Sequence, residues 1–331
     1  MATIRDVAKA AGVSVATVSR VLNQNGYVKL DTERKVKKAI QALDFESNEV
    51  ARGLASKRTN TIALILPNIT NPFFAEIARA VEDKARDYNY TVFLCNSDLE
   101  DQKEISYVEL IKRRYTDGII FASNMVGQAT FHYLNKNNIH RVVLDRTLAN
   151  DNSTSISSNN FEGARMAVQH LLEIGCKKIA HISGTQALKT GADRQLGYVS
   201  VVQSLPWYID TLIEPGDFTM LSGLRAAQQL MEKHPDIDGI FAANDMMAIG
   251  VVKALLQMGV RIPEEVAICG FDGIELSTMT EPEITTIAQP IYQMGTLAVD
   301  ALMRKITGKE EPDIRYELET KLIRRKSTER I

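Results

Sequence analysis

Residues 3–23 read Thr-Ile-Arg-Asp-Val-Ala-Lys-Ala-Ala-Gly-Val-Ser-Val-Ala-Thr-Val-Ser-Arg-Val-Leu-Asn, and this stretch sets the architecture of the first part of the chain. Thr3 can cap a first helix, and Gly12 ends it because glycine readily breaks a helix. Ser14 can cap a second helix two residues later. Two short helices joined by a glycine-containing turn are typical of a helix-turn-helix unit.

A third helix completes this unit, and we expect it to begin at Asp31 or Thr32. Its inward face is predicted from apolar residues at helical spacing: Val36, Ala39, Ile40 and Leu43. Residues 1–60 carry 11 Lys and Arg against 6 Asp and Glu, a net charge of 11 − 6 = +5, whereas the rest of the chain carries 28 − 35 = −7. A basic segment on an acidic protein indicates contact with a polyanion.

Residues 14–20 are the predicted recognition helix, whose first residues would enter the major groove of DNA. Arg20 can pair bidentately with guanine O6 and N7, the commonest specific contact. The other positions divide into apolar contacts to thymine methyl groups, from Val15 and Ala16, and phosphate contacts, from Thr17 and Ser19. Taken alone, Arg20 would more often be a solvated helix residue.

From residue 60 onward, apolar strands alternate with amphipathic helices. The predicted strands are Thr61–Leu66, Thr91–Leu94, Gly118–Ala122, Arg141–Leu144, Ile179–Ser183, Gly239–Ala243 and Val266–Gly270. The predicted helices are one after Pro72, then Gln102–Arg113, Gln128–Lys136, Phe161–Leu172, Asp193–Gln203, Ser222–Lys233 and Asp245–Gln257. This alternation predicts an α/β fold with parallel, doubly wound sheets covered by helices on both faces. Its length favours two lobes.

We therefore expect a helix-turn-helix domain over residues 1–46, a hinge or linker over 47–59, and a body over 60–331. The predicted first lobe comprises about 60–160 and 290–320, and the second lobe about 161–289 and 321–331. The linker is small and basic, and Gly53 weakens its helix propensity.

Ligands of doubly wound sheets bind beyond the C-terminal ends of the strands. Polar and aromatic side chains stand at such positions and elsewhere in the second lobe: Asn71, Phe73, Phe74, Asp145, Arg146, Arg194, Phe218, Asn244, Asp272 and Gln289. Carboxylates accept hydrogen bonds from sugar hydroxyls, Arg and Asn donate them, and phenylalanine rings can cover the apolar C–H faces of a sugar. Each residue alone could equally cap a turn, pack in a core or form a surface pair.

Other classes of protein are disfavoured. The chain has neither Gly-x-Gly-x-x-Gly after the first strand nor Gly-x-x-x-x-Gly-Lys-Ser/Thr nor Gly-x-Ser-x-Gly, and its five histidines lack metal-ligand spacing, so we expect no enzyme, cofactor or metal site. The N-terminus carries charges where a signal peptide needs an apolar core, and no stretch approaches 18 apolar residues. We therefore expect a cytoplasmic protein with no membrane contact rather than a transport binding protein. Widely spaced cysteines (Cys95, Cys176 and Cys269) suit reduced thiols.

Residues 3–23 closely resemble the start of the lactose-repressor/galactose-repressor family of bacterial regulators. The similarity continues through Asn48-Glu-Val-Ala-Arg-Gly-Leu54 and covers essentially the whole chain. It implies a homodimer that binds a palindromic operator and whose linkers fold into hinge helices on DNA. It implies DNA contacts from Thr3, Ser14, Val15, Ala16, Thr17, Ser19, Arg20, Asn23, Ala51, Leu54, Ala55 and Lys57. Leu54 matches the leucine that wedges between base steps in the minor groove.

Two departures from the family pattern stand out. Asp44-Phe45-Glu46-Ser47 occupies the place where the family usually has Gly-Tyr-x-Pro, which keeps the ring but loses a rigid turn. The segment 197–215 is shorter than the usual stretch between Arg194 and Phe218, and we expect it near a lobe surface, where it would affect a dimer or partner contact.

The body is similar to the ribose-binding members of the periplasmic sugar-binding superfamily and to ribose repressors built on the same fold. The ten candidate ligand residues each match a ligand-contacting position there, with Phe73 and Phe74 on one sugar face and Phe218 on the other. The resemblance implies a repressor that senses D-ribose in a cleft between the lobes, with closure of the cleft separating the hinges and weakening operator binding. The alternative is a global carbon regulator of the same family that responds mainly to a phosphorylated carrier protein, and such a co-regulator can coexist with sugar binding.

Overall fold

The computed structural model describes residues 2–23, 26–45, 59–113, 116–122, 134, 136, 139–145, 153–308 and 313–330. The chain divides into two compact units, Met1–Asn60 and Thr61–Ile331. Most of the predicted linker therefore lies outside the described residues, as does the predicted helix Gln128–Lys136 apart from residues 134 and 136. Where the chain is described, no helix is both long enough and apolar enough to cross a membrane.

The first unit, here called the head, contains helices α1 (Ile4–Ala11), α2 (Val15–Asn23) and α3 (Leu30–Ala42). A capping box begins α1: the Thr3 hydroxyl accepts a hydrogen bond from the Asp6 N–H at 3.4 Å, and the Asp6 carboxylate accepts one from the Thr3 N–H at 2.8 Å. Gly12 ends α1 with a φ of 66°, in the left-handed region. These two residues bound α1 as the sequence predicts.

The second helix is capped by Ser14, whose hydroxyl accepts a hydrogen bond from the Thr17 N–H at 3.2 Å. The three helices enclose a small apolar core, which consists of Val7, Ala8, Val18, Val36 and Ala39. Because Val18 is fully buried, α2 packs through this residue and exposes the positions around it.

The predicted start of the third helix, at Asp31 or Thr32, is wrong: α3 begins one or two residues earlier, at Leu30. Lys29 precedes it in an extended conformation without a side-chain cap, so neither Asp31 nor Thr32 serves as the capping residue. Asp31 instead lies in the first turn, where a negative charge interacts favourably with the helix dipole.

The second unit, here called the body, consists of alternating strands and helices. Its strands are β1 (Thr61–Leu66), β2 (Thr91–Asn96), β3 (Gly118–Phe121), β4 (His140–Leu144), β5 (Ser155–Ser158), β6 (Ile179–Ser183), β7 (Ile213–Pro215), β8 (Gly239–Ala242), β9 (Ala267–Asp272), β10 (Thr285–Ala288), β11 (Arg315–Leu318) and β12 (Lys321–Ile323). Its helices are α4 (Pro72–Asp87), α5 (Asp101–Arg113), α6 (Asn160–Glu173), α7 (Lys189–Val202), α8 (Met220–Lys233), α9 (Asp245–Gln257) and α10 (Ile291–Ile306).

The body strands form two sheets. The sheet of lobe 1 has the order β11–β5–β4–β3–β1–β2, and the sheet of lobe 2 has the order β12–β10–β9–β8–β6–β7. The strand pairs are parallel except β10 with β12, which is antiparallel. Strands β3, β6, β8 and β9 are buried along their whole length, as expected for a parallel sheet covered on both faces.

The chain passes between the two lobes after β5, after β10 and after β11. Helix α10 follows β10 of lobe 2 but packs on α4 of lobe 1, where Met294 and Ala298 join the same apolar cluster as Ile77 and Val81. These passages place residues 158–160 and 288–291 at the boundary between the lobes.

The unusual segment 197–215 packs onto lobe 2. It comprises the end of α7, a short turn and the edge strand β7. Trp207 contacts both apolar clusters of this lobe, and Leu212 is fully buried, whereas Ile209 is exposed.

Helix α7 begins at Lys189, four residues before the predicted Asp193, and the residue before it, Leu188, is in an extended conformation.

Candidate functional site

A cleft of about 400 Å³ lies between the lobes, beyond the C-terminal ends of the strands. Its lining contains nine of the ten candidate ligand residues: Asn71, Phe73, Phe74, Asp145, Arg194, Phe218, Asn244, Asp272 and Gln289. The tenth, Arg146, lies outside the described residues. Residues separated by more than two hundred positions in the sequence therefore line a single cleft.

The wall of the cleft on lobe 1 is aromatic. Asn71 caps α4, because its side-chain oxygen accepts a hydrogen bond from the Phe73 N–H at 3.1 Å, and Pro72 fills the first helical position, which suits proline. The rings of Phe73 and Phe74 lie edge to face, with centroids 5.0 Å apart and an interplanar angle of 85°. Both rings also contribute to the core of lobe 1, so the helix that carries them is firmly packed.

Asp145 is the second contribution of lobe 1. It directly follows β4, where it adopts a φ of 62°, and its N–H donates to the carbonyl of Ile156 at 2.7 Å. The residue is almost completely buried. The backbone therefore fixes a carboxylate at the boundary of the cleft.

A buried charge pair dominates the opposite wall. Arg194 Nη1 donates to the Asp272 carboxylate at 3.2 Å and to the carbonyl of Ala243 at 2.6 Å. The side-chain amide of Gln289 donates to the same carboxylate oxygen at 2.7 Å. The Arg194 guanidinium lies 3.8 Å from the ring centroid of Phe271, and this cation–π contact stabilises the buried positive charge.

Burial raises the pKa of Asp272 to about 6 against the lowering effect of Arg194, and the negative charge of Asp145 contributes to the rise. Asp272 is therefore ionised at neutral pH, beside a guanidinium. A charged acceptor and a charged donor, already aligned, form strong hydrogen bonds with neighbouring hydroxyl groups of one ligand.

Phe218 is held in place from two sides. Its backbone has a φ of 67°, and its carbonyl accepts a hydrogen bond from the Asn244 side-chain amide at 3.2 Å. Asn244 also caps α9, through its oxygen and the Met247 N–H at 2.9 Å. The ring rests on Gly184, where a Cβ atom would lie 2.0 Å from the ring. The glycine thus provides the space that the ring occupies.

The cleft has further lining residues that the sequence analysis did not identify: Pro67, Asn68, Thr70, Leu99, Leu188, Thr190, Asp217, Thr219, Met220, Leu221 and Met246. Pro67 directly follows β1, and Asn68 and Thr70 come shortly after it, so the same strand-end rule could have found these three. Within the described residues, no group of three or more His, Cys, Asp or Glu side chains could hold a metal ion.

The residues predicted to contact DNA lie on the head. Ser14, directly before α2, is exposed, as are Val15, Ala16 and Arg20 on the helix itself. The Thr3 hydroxyl also donates to Asp6 at 2.7 Å, and the hydroxyls of Ser14 and Thr17 share a hydrogen bond of 2.9 Å. Ser19 is partly buried, and only the backbone of Asn23 is described. The predicted hinge contacts lie outside the described residues: Ala51, Leu54, Ala55 and Lys57.

The described part of the first departure from the family pattern, Asp44 and Phe45, has a simple backbone explanation, whereas Glu46 and Ser47 lie outside the described residues. Asp44 adopts a φ of 46° in the left-handed region, which Asp tolerates better than most residues. The following Phe45 packs against the head core, and its N–H donates to the carbonyl of Ile40 at 3.0 Å. Asp44 therefore makes the turn that a glycine would make.

Comparisons with known proteins give a family match in each of the two units. Residues 3–48 match the model for bacterial regulatory proteins of the lacI family, and residues 168–328 match the periplasmic binding protein-like domain. The ribose operon repressor of Halalkalibacterium halodurans is 44% identical over 99% of this chain and 97% of its own length.

Two solved structures are also similar. The lac repressor dimer bound to operator and the anti-inducer ONPF superposes with a TM-score of 0.88 at 26% identity, covering 99% of both chains. A LacI family transcriptional regulator from Enterococcus faecium with bound ribose gives a TM-score of 0.74 at 30% identity, over 81% of this chain and 98% of its own. The chain therefore belongs to the LacI family of bacterial transcriptional regulators, whose members are not enzymes.

Proposed function

We propose that this regulator represses a ribose-use operon and senses D-ribose in the cleft between its lobes. The observation that carries the proposal is that nine residues chosen from the sequence for sugar binding line one cleft. Its volume of about 400 Å³ is suited to a small ligand. A relative named ribose operon repressor and a related regulator with bound ribose support the same sugar.

The chemistry of the walls is that of a sugar site. Asp145 and Asp272 can accept hydrogen bonds from hydroxyls, whereas Arg194 and the amides of Asn244 and Gln289 can donate them. Phenylalanine rings line both lobes, so they can cover the two apolar faces of a flat sugar ring. Arg146, which follows Asp145 directly, is proposed to complete the set.

Isothermal titration calorimetry with D-ribose tests the proposal, and 2-deoxyribose is the matched control ligand. Loss of one hydroxyl leaves buried polar groups without a partner, so we expect 2-deoxyribose to bind at least ~10-fold more weakly. Asp272→Asn should weaken ribose binding, whereas Asp236→Asn should not, because Asp236 is an exposed carboxylate that pairs with Lys178 at 2.8 Å. Equal affinity for the two sugars would contradict the assigned site.

We also propose that the head binds a palindromic operator as part of a homodimer, in the bacterial cytoplasm. The exposed side of α2 and the net charge of +5 on residues 1–60 support DNA contact by the head. The hinge residues, Leu54 above all, are proposed to contact the minor groove. Fluorescence anisotropy with labelled operator, at several salt concentrations and with and without ribose, measures this binding.

The alternative effector is a phosphorylated carrier protein, as in a global carbon regulator. The cleft, with its buried charge pair and its phenylalanine rings, favours a small sugar as the main signal. If titration with ribose gives no heat but a phosphorylated carrier protein changes operator affinity, this alternative replaces the ribose proposal and leaves the DNA-binding role intact.

A further inference from the structure

Two neighbouring asparagines follow β5 and have different surroundings. Asn159 caps α6, since its side-chain oxygen accepts a hydrogen bond from the Glu162 N–H at 3.0 Å. Asn160 is almost completely buried, with 4% of its surface exposed, although it begins the same helix. A buried carboxamide needs hydrogen-bond partners, and those of Asn160 lead to the cleft.

Asn160 contacts the charge pair of the cleft from behind. Its side-chain oxygen accepts a hydrogen bond from Arg194 Nε at 2.8 Å, and its amide donates to the carbonyl of Ser158 at 3.0 Å. Arg194 in turn donates to Asp272, which accepts from Gln289, and the Ser158 hydroxyl donates to the Gln289 side-chain oxygen. These five residues form a closed circuit of buried hydrogen bonds, which is completed through the backbone carbonyl of Ser158.

The circuit lies at the boundary between the lobes. Ser158 ends β5 in lobe 1, and Asn160 begins α6 in lobe 2. Gln289 lies between β10 of lobe 2 and α10, which packs on lobe 1. The circuit therefore connects two of the passages between the lobes with the charge pair that faces the cleft.

We propose that Asn160 is a positioning residue of the effector site. Its side chain holds the Arg194 guanidinium toward Asp272 and connects this charge pair, through hydrogen bonds, to the segments that pass between the lobes. The proposal rests on the proposed function only for the identity of the effector. Arginine has many rotamers, and the Asn160 oxygen fixes the Nε edge of its guanidinium so that the other edge faces Asp272. No other described contact involves the Nε atom.

The first test needs no ligand. In the free protein, the Nε–H proton of Arg194 should give a slowly exchanging ¹⁵N–¹H NMR signal, which is assigned by its disappearance in Arg194→Lys. We expect Asn160→Ala to abolish the slow exchange. The adjacent Asn159→Ala is the matched control, because it removes a helix cap on the same turn but no contact with Arg194, and it should keep the signal.

The second test measures ribose affinity as a function of pH. Asn160→Ala should weaken ribose binding by about tenfold, because a misplaced guanidinium no longer meets the ligand. It should also move the acid-side midpoint of the affinity to higher pH, since Asp272 loses the lowering effect of Arg194 and keeps the raising effect of Asp145. Asp245, a further buried carboxylate whose pKa the charge of Asp272 helps to raise, is present in both variants. Asn159→Ala should leave the midpoint where it is in the unmodified protein.

The two tests separate the inference from the proposed function. A slowly exchanging Arg194 Nε–H in Asn160→Ala, or an unchanged midpoint, would overturn the positioning role. If the NMR result is as expected and ribose gives no heat with the unmodified protein, the positioning role stands and ribose is the wrong effector. If Asn160→Ala does not fold, Asn160→Leu keeps the volume of the side chain and removes the same acceptor.

Discussion

Gly184 leaves room for the ring of Phe218 in the cleft because glycine has no Cβ atom. A Cβ atom at this position would lie 2.0 Å from the ring of Phe218, far inside the van der Waals distance. The backbone of Phe218 cannot easily move away, because its carbonyl is held by Asn244. The ring is therefore the part that must move when the glycine is replaced.

We predict that Gly184→Ala weakens ribose binding by at least ~10-fold, because the displaced ring no longer covers the sugar. Calorimetry on Gly184→Ala, Phe218→Ala and the double variant checks the cause. If the glycine acts through the ring, adding Gly184→Ala to Phe218→Ala should have little further effect. Additive losses would show that Gly184 acts by another route.

Ribose affinity should fall as the pH is lowered through about 6, the pKa to which burial raises Asp272. Protonation removes the charged acceptor, so the protein binds sugar hydroxyls less well at lower pH. A pKa of about 6 leaves most of Asp272 ionised at pH 7.5 and most of it protonated at pH 5.5, so affinity should be lower at pH 5.5. Calorimetry at both pH values measures it, with Asp272→Asn as the weaker control that lacks this carboxylate; an unchanged affinity in the unmodified protein would contradict ionised Asp272 as the acceptor.

The sequence identifies polar residues at the C-terminal ends of buried strands, such as Asn244 and Asp272, because their place depends on a local pattern. It does not identify Gly184 or Asn160. Their importance depends on contacts with residues 34 positions away in each case, Phe218 for the glycine and Arg194 for the asparagine, and no local pattern encodes such a contact.

At the scale of elements, α2 exposes residues that are predicted to contact DNA because it packs on the head through Val18. Val18 is buried in the head core, and Arg20 is exposed beside it. We predict that Arg20→Ala costs about 1–3 kcal/mol of discrimination at one base pair of the operator. Anisotropy against operators with single base changes measures the loss.

Lys57→Ala is the comparison for this prediction. If Lys57 contacts phosphate, as we expect, it should affect all sequences alike, and its removal should lower the salt slope of binding by about 1. If Arg20→Ala also weakens all operator variants equally, Arg20 contacts phosphate and not a base.

Elements with a strong pattern are predictable. Strands β1 and β6 and helix α9 have the bounds that their apolar residues predict, because a parallel strand buried on both faces is a continuous apolar run. Strand β5, Ser155-Ile156-Ser157-Ser158, is polar, and β12 has three residues. These strands exist because neighbouring strands pair with them, which the sequence alone does not reveal.

At the scale of the whole molecule, ribose and operator should affect each other's binding equally. If ribose lowers operator affinity by a given factor, operator must lower ribose affinity by the same factor, for which we expect about 1–3 kcal/mol. Operator affinity measured with and without ribose, and ribose affinity measured with and without operator, give the two factors. A factor of one in both would mean that the sugar does not control the repressor.

The strand and helix alternation predicts the α/β body, and its length favours two lobes. The predicted lobe bounds imply passages near residues 160, 290 and 320, but the apolar pattern of the elements does not by itself require them, because a return to the first lobe depends on how helix α10 packs. Ile291–Ile306 carries an ordinary amphipathic pattern, and nothing in that pattern indicates that it packs on α4, whose sequence lies more than two hundred residues earlier.

The single tryptophan of the chain, Trp207, lies in the segment that departs from the family and contacts both apolar clusters of lobe 2. Its fluorescence emission therefore responds to the packing of that lobe, whereas circular dichroism sums the helices of head and body together. Following both signals through one urea titration distinguishes a body that melts with the head from one that outlasts it. The protein thus carries a built-in, label-free optical reporter for one of its lobes.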